Sequence, residues 1–380
     1  MRQVYLDNNA TTRPDPDVID AMLPFMHEIY GNPSSIHRPG QMARRAMDDA
    51  RETVAEHLDA DPKELIFTAG GSEANNLAIL GLARSRRDKG RHVITTAIEH
   101  PSVLEAFDTL RREGFDLTIV PVNSSGVVEA AAVREAVTDG TILVSMMYAN
   151  NEIGTFQPIE AVAQICDEIG IPFHVDAVQA GGRTHLDVDQ LGVDLLTLSA
   201  HKFHGPKGVG LLFARKGIEL EPLIRGGHHE RARRAGTENV PSIVGFAKAM
   251  DLAEKRRDAD VAHMRWLRDY FEGELVARIK DVRVTAQDRP RLPNTSHVCF
   301  KNLETESILL NLDLADIAAS AGSACSSGSL SRSHVLDAMG MDDEYAMGAV
   351  RFSLSRETTA QEIDATLDTL EETVRRLRSV

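Results

Sequence analysis

Residues 67–80 read FTAGGSEANNLAIL, and the order of residue types in them decides which fold to expect. An apolar run passes through Gly70-Gly71-Ser72 and turns at once into a helical pattern. Strand, glycine turn and helix in that order are the connection of an α/β protein. The first turn of such a helix has unpaired N–H groups and the positive end of the helix dipole, and the glycines let an anion approach the backbone. Gly71 and Ser72 are therefore a candidate phosphate cradle. The same residues also suit an ordinary turn with Ser72 as N-cap.

The surrounding chain repeats this alternation. Strand-like runs occupy 64–69, 92–97, 116–122, 141–149, 172–178, 194–200 and 208–214. They are rich in Val, Ile and Leu without strict alternation, as strands covered on both faces are. Between them, Ala43, Met47, Ala50, Val54 and Leu58 mark one face of a helix over 41–58, and 101–113 and 157–169 read similarly. The expectation is a large α/β domain over residues 15–258 with a mainly parallel seven-stranded sheet. Near residue 240 the pattern changes. A long helical region over 241–279 leads to short strands at 281–286, 296–300, 316–321 and 349–355. The last helix opens with Thr359-Ala-Gln-Glu362, a capping box, and carries an apolar stripe of Ile363, Leu367, Leu370, Val374 and Leu377. These features predict a smaller α+β domain made of 259–380 together with 1–14.

Composition excludes some partners. Among 380 residues, 42 are basic and 57 acidic, a formal net charge of −15. Binders of nucleic acid or anionic membranes need a basic footprint, so neither partner is expected. No run approaches the roughly 20 apolar residues of a membrane span. MRQVYLDNNATT (1–12) lacks the apolar core of a signal peptide. Three cysteines without paired spacing predict a reduced, cytoplasmic protein. Cys166 and Cys299 lie in helical and strand patterns and read as core residues. Cys325 differs: in SAGSACSSGSL (320–330) it has no large apolar neighbour to bury it.

Two further stretches carry chemistry. In FHVDAVQAGG (173–182), Asp176 closes an apolar strand and Gln179 follows on the adjoining turn. A buried carboxylate needs a cationic partner, and open α/β sheets place their sites at strand C-termini. In LTLSAHKFHGPKGVG (196–210), Lys202 lies just past another strand, preceded by Ser199 and His201. A lysine there can form a Schiff base with an aldehyde. Taken singly, the aspartate also fits a solvated loop residue, and Lys207, in the turn after Gly205-Pro206, reads as a solvated surface charge. Together with the phosphate turn, Asp176 and Lys202 are the parts that pyridoxal phosphate requires. His174-x-Asp176, His201-x-x-His204 and His228-His229 match no closed ligand set, and no metal is expected.

With those parts in view, a family becomes recognisable. YLDNNATT (5–12), GNPSSIH (31–37), TAIEHPSV (96–103), ANNEIGT (149–155), HVDAVQAGG (174–182), SAHKFHGPKG (199–208), RGGHHERARRAGTENV (225–240), GSACSSGSL (322–330) and RFSLSR (351–356) resemble class V, fold type I pyridoxal-phosphate enzymes. Within them the chain is similar to cysteine desulfurases of the NifS/IscS type that carry their cysteine on a long loop. The resemblance runs from residue 4 to the last helix.

It implies that Lys202 holds the cofactor, Asp176 pairs with the ring nitrogen and Gln179 bonds the ring hydroxyl. His100 would stack on the ring and serve acid–base steps, and Asn151 would contact cofactor or substrate. Gly71, Ser72, Ser199 and His201 would hold the phosphate, with Thr237 reaching in from the partner subunit of a homodimer. Arg351 would clamp the substrate carboxylate with its fork, helped by Asn32. Cys325 would take sulfur from L-cysteine as a persulfide, leaving L-alanine. The sulfur would pass to a NifU/IscU-like scaffold or another acceptor for iron–sulfur cluster assembly. A Gly/Ser-rich stretch is flexible enough to reach a buried site and return. Ser72 stands where many relatives have threonine, and SLSRSHV (329–335) departs from their usual wording. The alternatives are a selenocysteine lyase, another class V enzyme such as an aminotransferase, or a non-catalytic protein that kept the fold.

Overall fold

Seven strands form the central sheet: β2 (Leu65–Thr68), β3 (His92–Thr96), β4 (Asp116–Val120), β5 (Thr141–Met147), β6 (Phe173–Asp176), β7 (Leu195–Ser199) and β8 (Gly210–Ala214). They follow the short β1 (Val4–Tyr5) in the chain. The computed structural model describes residues 3–322 and 332–379, so Cys325 lies outside the described residues. The strand order is β2-β8-β7-β6-β5-β3-β4. Only β8 pairs antiparallel to its neighbours, β2 and β7; the other pairings are parallel. Every residue of β2, β3, β5, β6, β7 and β8 is buried, which is why these strands lack alternation.

Beyond residue 280 come β9 (Val282–Val284), β10 (Thr295–Phe300), β11 (Ile317–Ala318) and β12 (Ala349–Ser353). β9, β10 and β12 form an antiparallel sheet in the order β12-β10-β9. The strand anticipated over 316–321 is only β11, paired with β1. It stops early because Ser320 turns away to exchange two backbone hydrogen bonds with Arg351. The N-terminal segment continues from β1 along this smaller sheet, where Asp7 bridges Ser353.

One helix spans Val240–Arg278, and its two halves enter different cores. Ile243, Phe246 and Met250 pack with the large sheet. Leu267, Phe271 and Leu275 pack with β10, β12 and the final helix Ala360–Leu377. Thr359 and Glu362 form the expected capping box, and Ile363, Leu367, Leu370 and Val374 are buried as the stripe predicted. We propose that these two cores are two domains, 15–258 against 1–14 with 259–380, with the helix passing from one to the other. Among the described residues, no helix is long and apolar enough to cross a membrane.

Sheet packing also shapes the glycine turn. A Cβ on Gly210, the first residue of β8, would stand 2.4 Å from the carbonyl carbon of Gly70. Backbone cannot retreat as a flexible side chain can. Gly210→Ala is therefore expected to lower stability by about 1–3 kcal/mol in chemical denaturation, as overpacking does, and to displace the Gly70 turn.

Candidate active site

The carboxyl ends of β2, β6 and β7 converge on one cavity of about 550 Å³, within the size range of small-molecule sites. Its walls include Gly71, Ser72, His100, Asn151, Asp176, Gln179, Ser199, His201, Lys202 and Arg351. Ten residues singled out from the sequence thus meet at one place. Thr237 and Asn32 do not line it. Thr237 is exposed, and the exposed Asn32 accepts a hydrogen bond from the Ser34 N–H within its own loop (2.8 Å). A side chain awaited from a partner subunit has no reason to enter its own cavity, and Asn32 is occupied by the local turn.

At the phosphate turn, the helix Gly71–Asn76 begins directly after Gly70. A Cβ on Gly71 would lie 2.9 Å from Val178 Cγ2 and 3.4 Å from Ser199 Cβ, so its absence leaves room there. Ser199 Oγ is buried and has no hydrogen-bond partner among the described residues. Buried hydroxyls are normally satisfied, and this one lies beside a glycine turn. The donor set fits an anion such as a phosphate.

Asp176 ends β6 and is buried. Its Oδ1 accepts from the Val178 N–H (3.0 Å), and its Oδ2 accepts from Asn75 Nδ2 (2.7 Å). The same amide donates to Ser102 Oγ (3.0 Å), which lies 2.8 Å from His100 Nδ1. The Ser102 N–H also donates to that nitrogen (3.1 Å), so Nδ1 is an acceptor and the ring proton sits on Nε2. Burial lowers the His100 pKa first, and Lys202 and His334 add to the effect against the pull of Asp176. His100 is thus held as a neutral imidazole at the start of the helix Pro101–Arg112. Sequence reading missed Asn75 and Ser102, although both lie within stretches it had quoted.

Lys202 sits on the turn after β7. Its Nζ donates to the carbonyls of Asn9 and Ala10, the latter at 2.9 Å. Gln179 Nε2 donates to the same Asn9 carbonyl at 3.0 Å. Burial brings the Lys202 pKa down to about 7, with Arg351 and Arg183 lowering it further and Asp176 and Asp7 opposing. An amine poised there is neutral often enough to act as nucleophile or base. His201 is likewise pushed down to about 4, chiefly by burial. Arg351, on β12, donates to the carbonyls of Asn151 (2.8 Å) and Gly322 (3.1 Å) and to Asp7 Oδ1 (2.7 Å). Cys166 and Cys299 are buried as expected, and burial pushes their thiols up to about 12 and about 11.

The depressed lysine has a cost that can be measured. Between pH 7 and 10.5 the unfolded chain holds a proton on Lys202 that the folded chain does not. Stability of the cofactor-free protein therefore rises with pH across that window, by about 1.4 kcal/mol per unit from this group, and the contribution is lost as pH falls through 7. Lys202→Met should make the cofactor-free protein more stable at pH 7 and flatten this rise. Urea denaturation at several pH values measures both effects.

Comparison with known proteins agrees with this geometry. Residues 4–366 match the Aminotransferase class-V family. A cysteine desulfurase IscS of Dictyoglomus turgidum is 48% identical over 379 residues, covering 100% of this chain and 96% of that protein. One of Methanosarcina thermophila is 46% identical over 380 residues, covering 100% and 94%. A solved NifS-like protein superposes with a TM-score of 0.93 at 41% identity, over 99% of this chain and 100% of its own. Fold, cavity and sequence identity lead to one assignment: the chain belongs to the class-V aminotransferase family, among its cysteine desulfurases.

Proposed function

We propose that the protein is a pyridoxal-phosphate-dependent cysteine desulfurase that moves the sulfur of L-cysteine to Cys325 and releases L-alanine. The observation that carries this reading is the meeting of Lys202, Asp176 and the Gly71–Ser72 turn around a single cavity. Gly71, Ser72, Ser199 and His201 would hold the phosphate, Asp176 the ring nitrogen, Gln179 the ring hydroxyl and Lys202 the aldehyde carbon. The chemistry that pyridoxal phosphate supplies when bound is withdrawal of electrons from the substrate Cα. The solved structure named SspA in complex with cysteine, 36% identical with a TM-score of 0.82, supports L-cysteine as substrate.

The chain's own residues do the rest. Arg351 orients the substrate by its carboxylate. Lys202, with its pKa near 7, takes the Cα proton. His100, bearing its proton on Nε2, exchanges protons with substrate or thiol. Overall, the C–S bond of L-cysteine breaks and an S–S bond forms to Cys325. The thiol proton of Cys325 is balanced by the new C–H of L-alanine. Cys166 and Cys299, buried and held as thiols, are unsuited to this attack, since only a thiolate is nucleophilic.

In this reading the enzyme acts as a cytoplasmic homodimer and hands sulfur to a scaffold protein or another acceptor for iron–sulfur cluster assembly. Exposed Leu23, Met26, Tyr30 and Ile36 offer apolar surface for a second copy to cover. Thr237, exposed on its own chain, would then complete the partner's phosphate site. Peptide mass mapping after incubation with L-cysteine and no reductant tests the chemistry. One added sulfur atom is expected on Cys325, and none in Lys202→Ala. Release of L-alanine with Cys325 unmodified, or activity unchanged in Cys325→Ala, would refute the persulfide and favour a lyase.

A further inference from the structure

Arg351 is 1% exposed, yet it forms part of the cavity wall. Its guanidinium is largely engaged by the protein's own groups. One nitrogen donates to two backbone carbonyls and the other to Asp7 Oδ1 (2.7 Å), while Nε has no partner among the described residues. Asp7 does not line the cavity. It holds the guanidinium from elsewhere, on an N-terminal segment fixed by several hydrogen bonds. The Leu6 N–H donates to the Ala318 carbonyl (2.8 Å), the Asn8 N–H to the Ser353 carbonyl (3.1 Å) and the Asn9 N–H to Ser353 Oγ (2.9 Å). These bonds fix the backbone on both sides of Asp7 and keep its carboxylate within reach of the guanidinium.

We propose that Asp7 is a positioning residue that acts through Arg351, a built-in carboxylate that sets how tightly the guanidinium grips the carboxylate of the substrate. The proposal rests on Arg351 being the substrate clamp. The Asp7 carboxylate compensates a buried cation whose charge would otherwise be costly. In the occupied site it remains beside the guanidinium, and the incoming carboxylate meets both an attractive cation and a repulsive anion. The grip is thereby moderated. Moderation suits a reaction whose substrate and product, L-cysteine and L-alanine, carry the same carboxylate: a site that holds one hard holds the other hard, and turnover requires release. The strength of the clamp is thus written partly in LDNNATT at the start of the chain, more than 340 residues from the arginine.

The test uses Asp7→Asn, which keeps the shape and an acceptor oxygen while removing the charge. Propionate, a carboxylate without an amine, is titrated against cofactor-loaded and cofactor-stripped protein by ligand-observed NMR, and KM for L-cysteine is measured alongside. The dissociation constant for propionate should fall roughly 3- to 10-fold, a change of the size that loss of a nearby like charge produces, and KM should fall with it. A purely structural role for Asp7 would weaken binding instead. Asp7→Ser serves if the asparagine variant melts well below the wild type. Arg351→Met separates the two ideas. If it binds propionate like the wild type, the clamp reading fails. If it loses binding while Asp7→Asn binds no tighter, the Asp7 proposal is overturned.

Discussion

The hydrogen bonds around Asn9 are the constraint on which the site depends. Its side chain donates to Thr295 Oγ1 (2.8 Å) and to the Asn151 carbonyl (3.2 Å), and accepts from Asn294 Nδ2 (3.0 Å). Its N–H donates to Ser353 Oγ and its carbonyl accepts from Lys202 and Gln179. One residue therefore ties the start of β10, the end of β12, the Asn151 turn and the lysine turn after β7. Nearby, Thr12 receives and returns bonds across the same turn. Its N–H and hydroxyl reach the His201 carbonyl (2.9 and 3.0 Å), and its Oγ1 accepts from the His204 N–H (2.7 Å). Lys202 comes from the large sheet and Arg351 from the small one, and the N-terminal strap sets their relation. Buried amides of this kind are rigid only when satisfied, and the amide of Asn9 is satisfied at both ends.

Burial also sets the charge state of the site. Desolvation is the first cause of the lowered Lys202 and His100 pKa values, and of the raised pKa of Glu99, pushed up to about 8, and of Glu152. Each group is driven toward its neutral form, as low-dielectric surroundings require. Lys202, brought down to about 7, can exchange a proton near neutral pH without a large penalty, so burial also tunes the acid–base chemistry. Glu152 adds a structural role. Its Oε2 accepts from Ser333 Oγ (2.5 Å), which caps the helix His334–Ala338, and Gly322 packs against the same carboxyl.

The central sheet was legible because its signals are local. Buried strands announce themselves as Val/Ile/Leu runs, and all seven appear within a few residues of their expected limits. Lys202, Asp176 and the glycine turn were legible for a related reason: each stands at the end of such a run, where α/β sheets hold their sites. Asn9, Asp7 and Asn75 were not legible as site residues. Their side-chain partners lie 27 to 344 residues away in the chain, and an asparagine or aspartate in a polar stretch looks the same in sequence whether it bonds water or a buried side chain. Residues 316–321 misled for the opposite reason. Local β pattern was present, but the chain there is drawn off to Arg351 after two paired residues.

The three cysteines show how position decides chemistry that composition leaves open. Cys299 lies 3.9 Å from His297 Nδ1, a spacing that invites a thiolate–imidazole pair. Burial defeats it. The same burial that raises the Cys299 thiol to about 11 lowers His297 to about 3, so each group prefers to stay neutral and proton transfer between them is uphill. Cys166 is raised further still, in a core with no cation to offset it. A reactive thiol needs water or positive charge nearby; Arg283 pulls the Cys299 thiol down but burial outweighs it, and Asp194 pushes the Cys166 thiol further up. Gly322 and Ser333, on either side of the segment that carries Cys325, both line the cavity that holds Lys202, His100 and Arg351. Under the proposed function, sulfur transfer is left to Cys325, because burial keeps the thiols of Cys166 and Cys299 protonated.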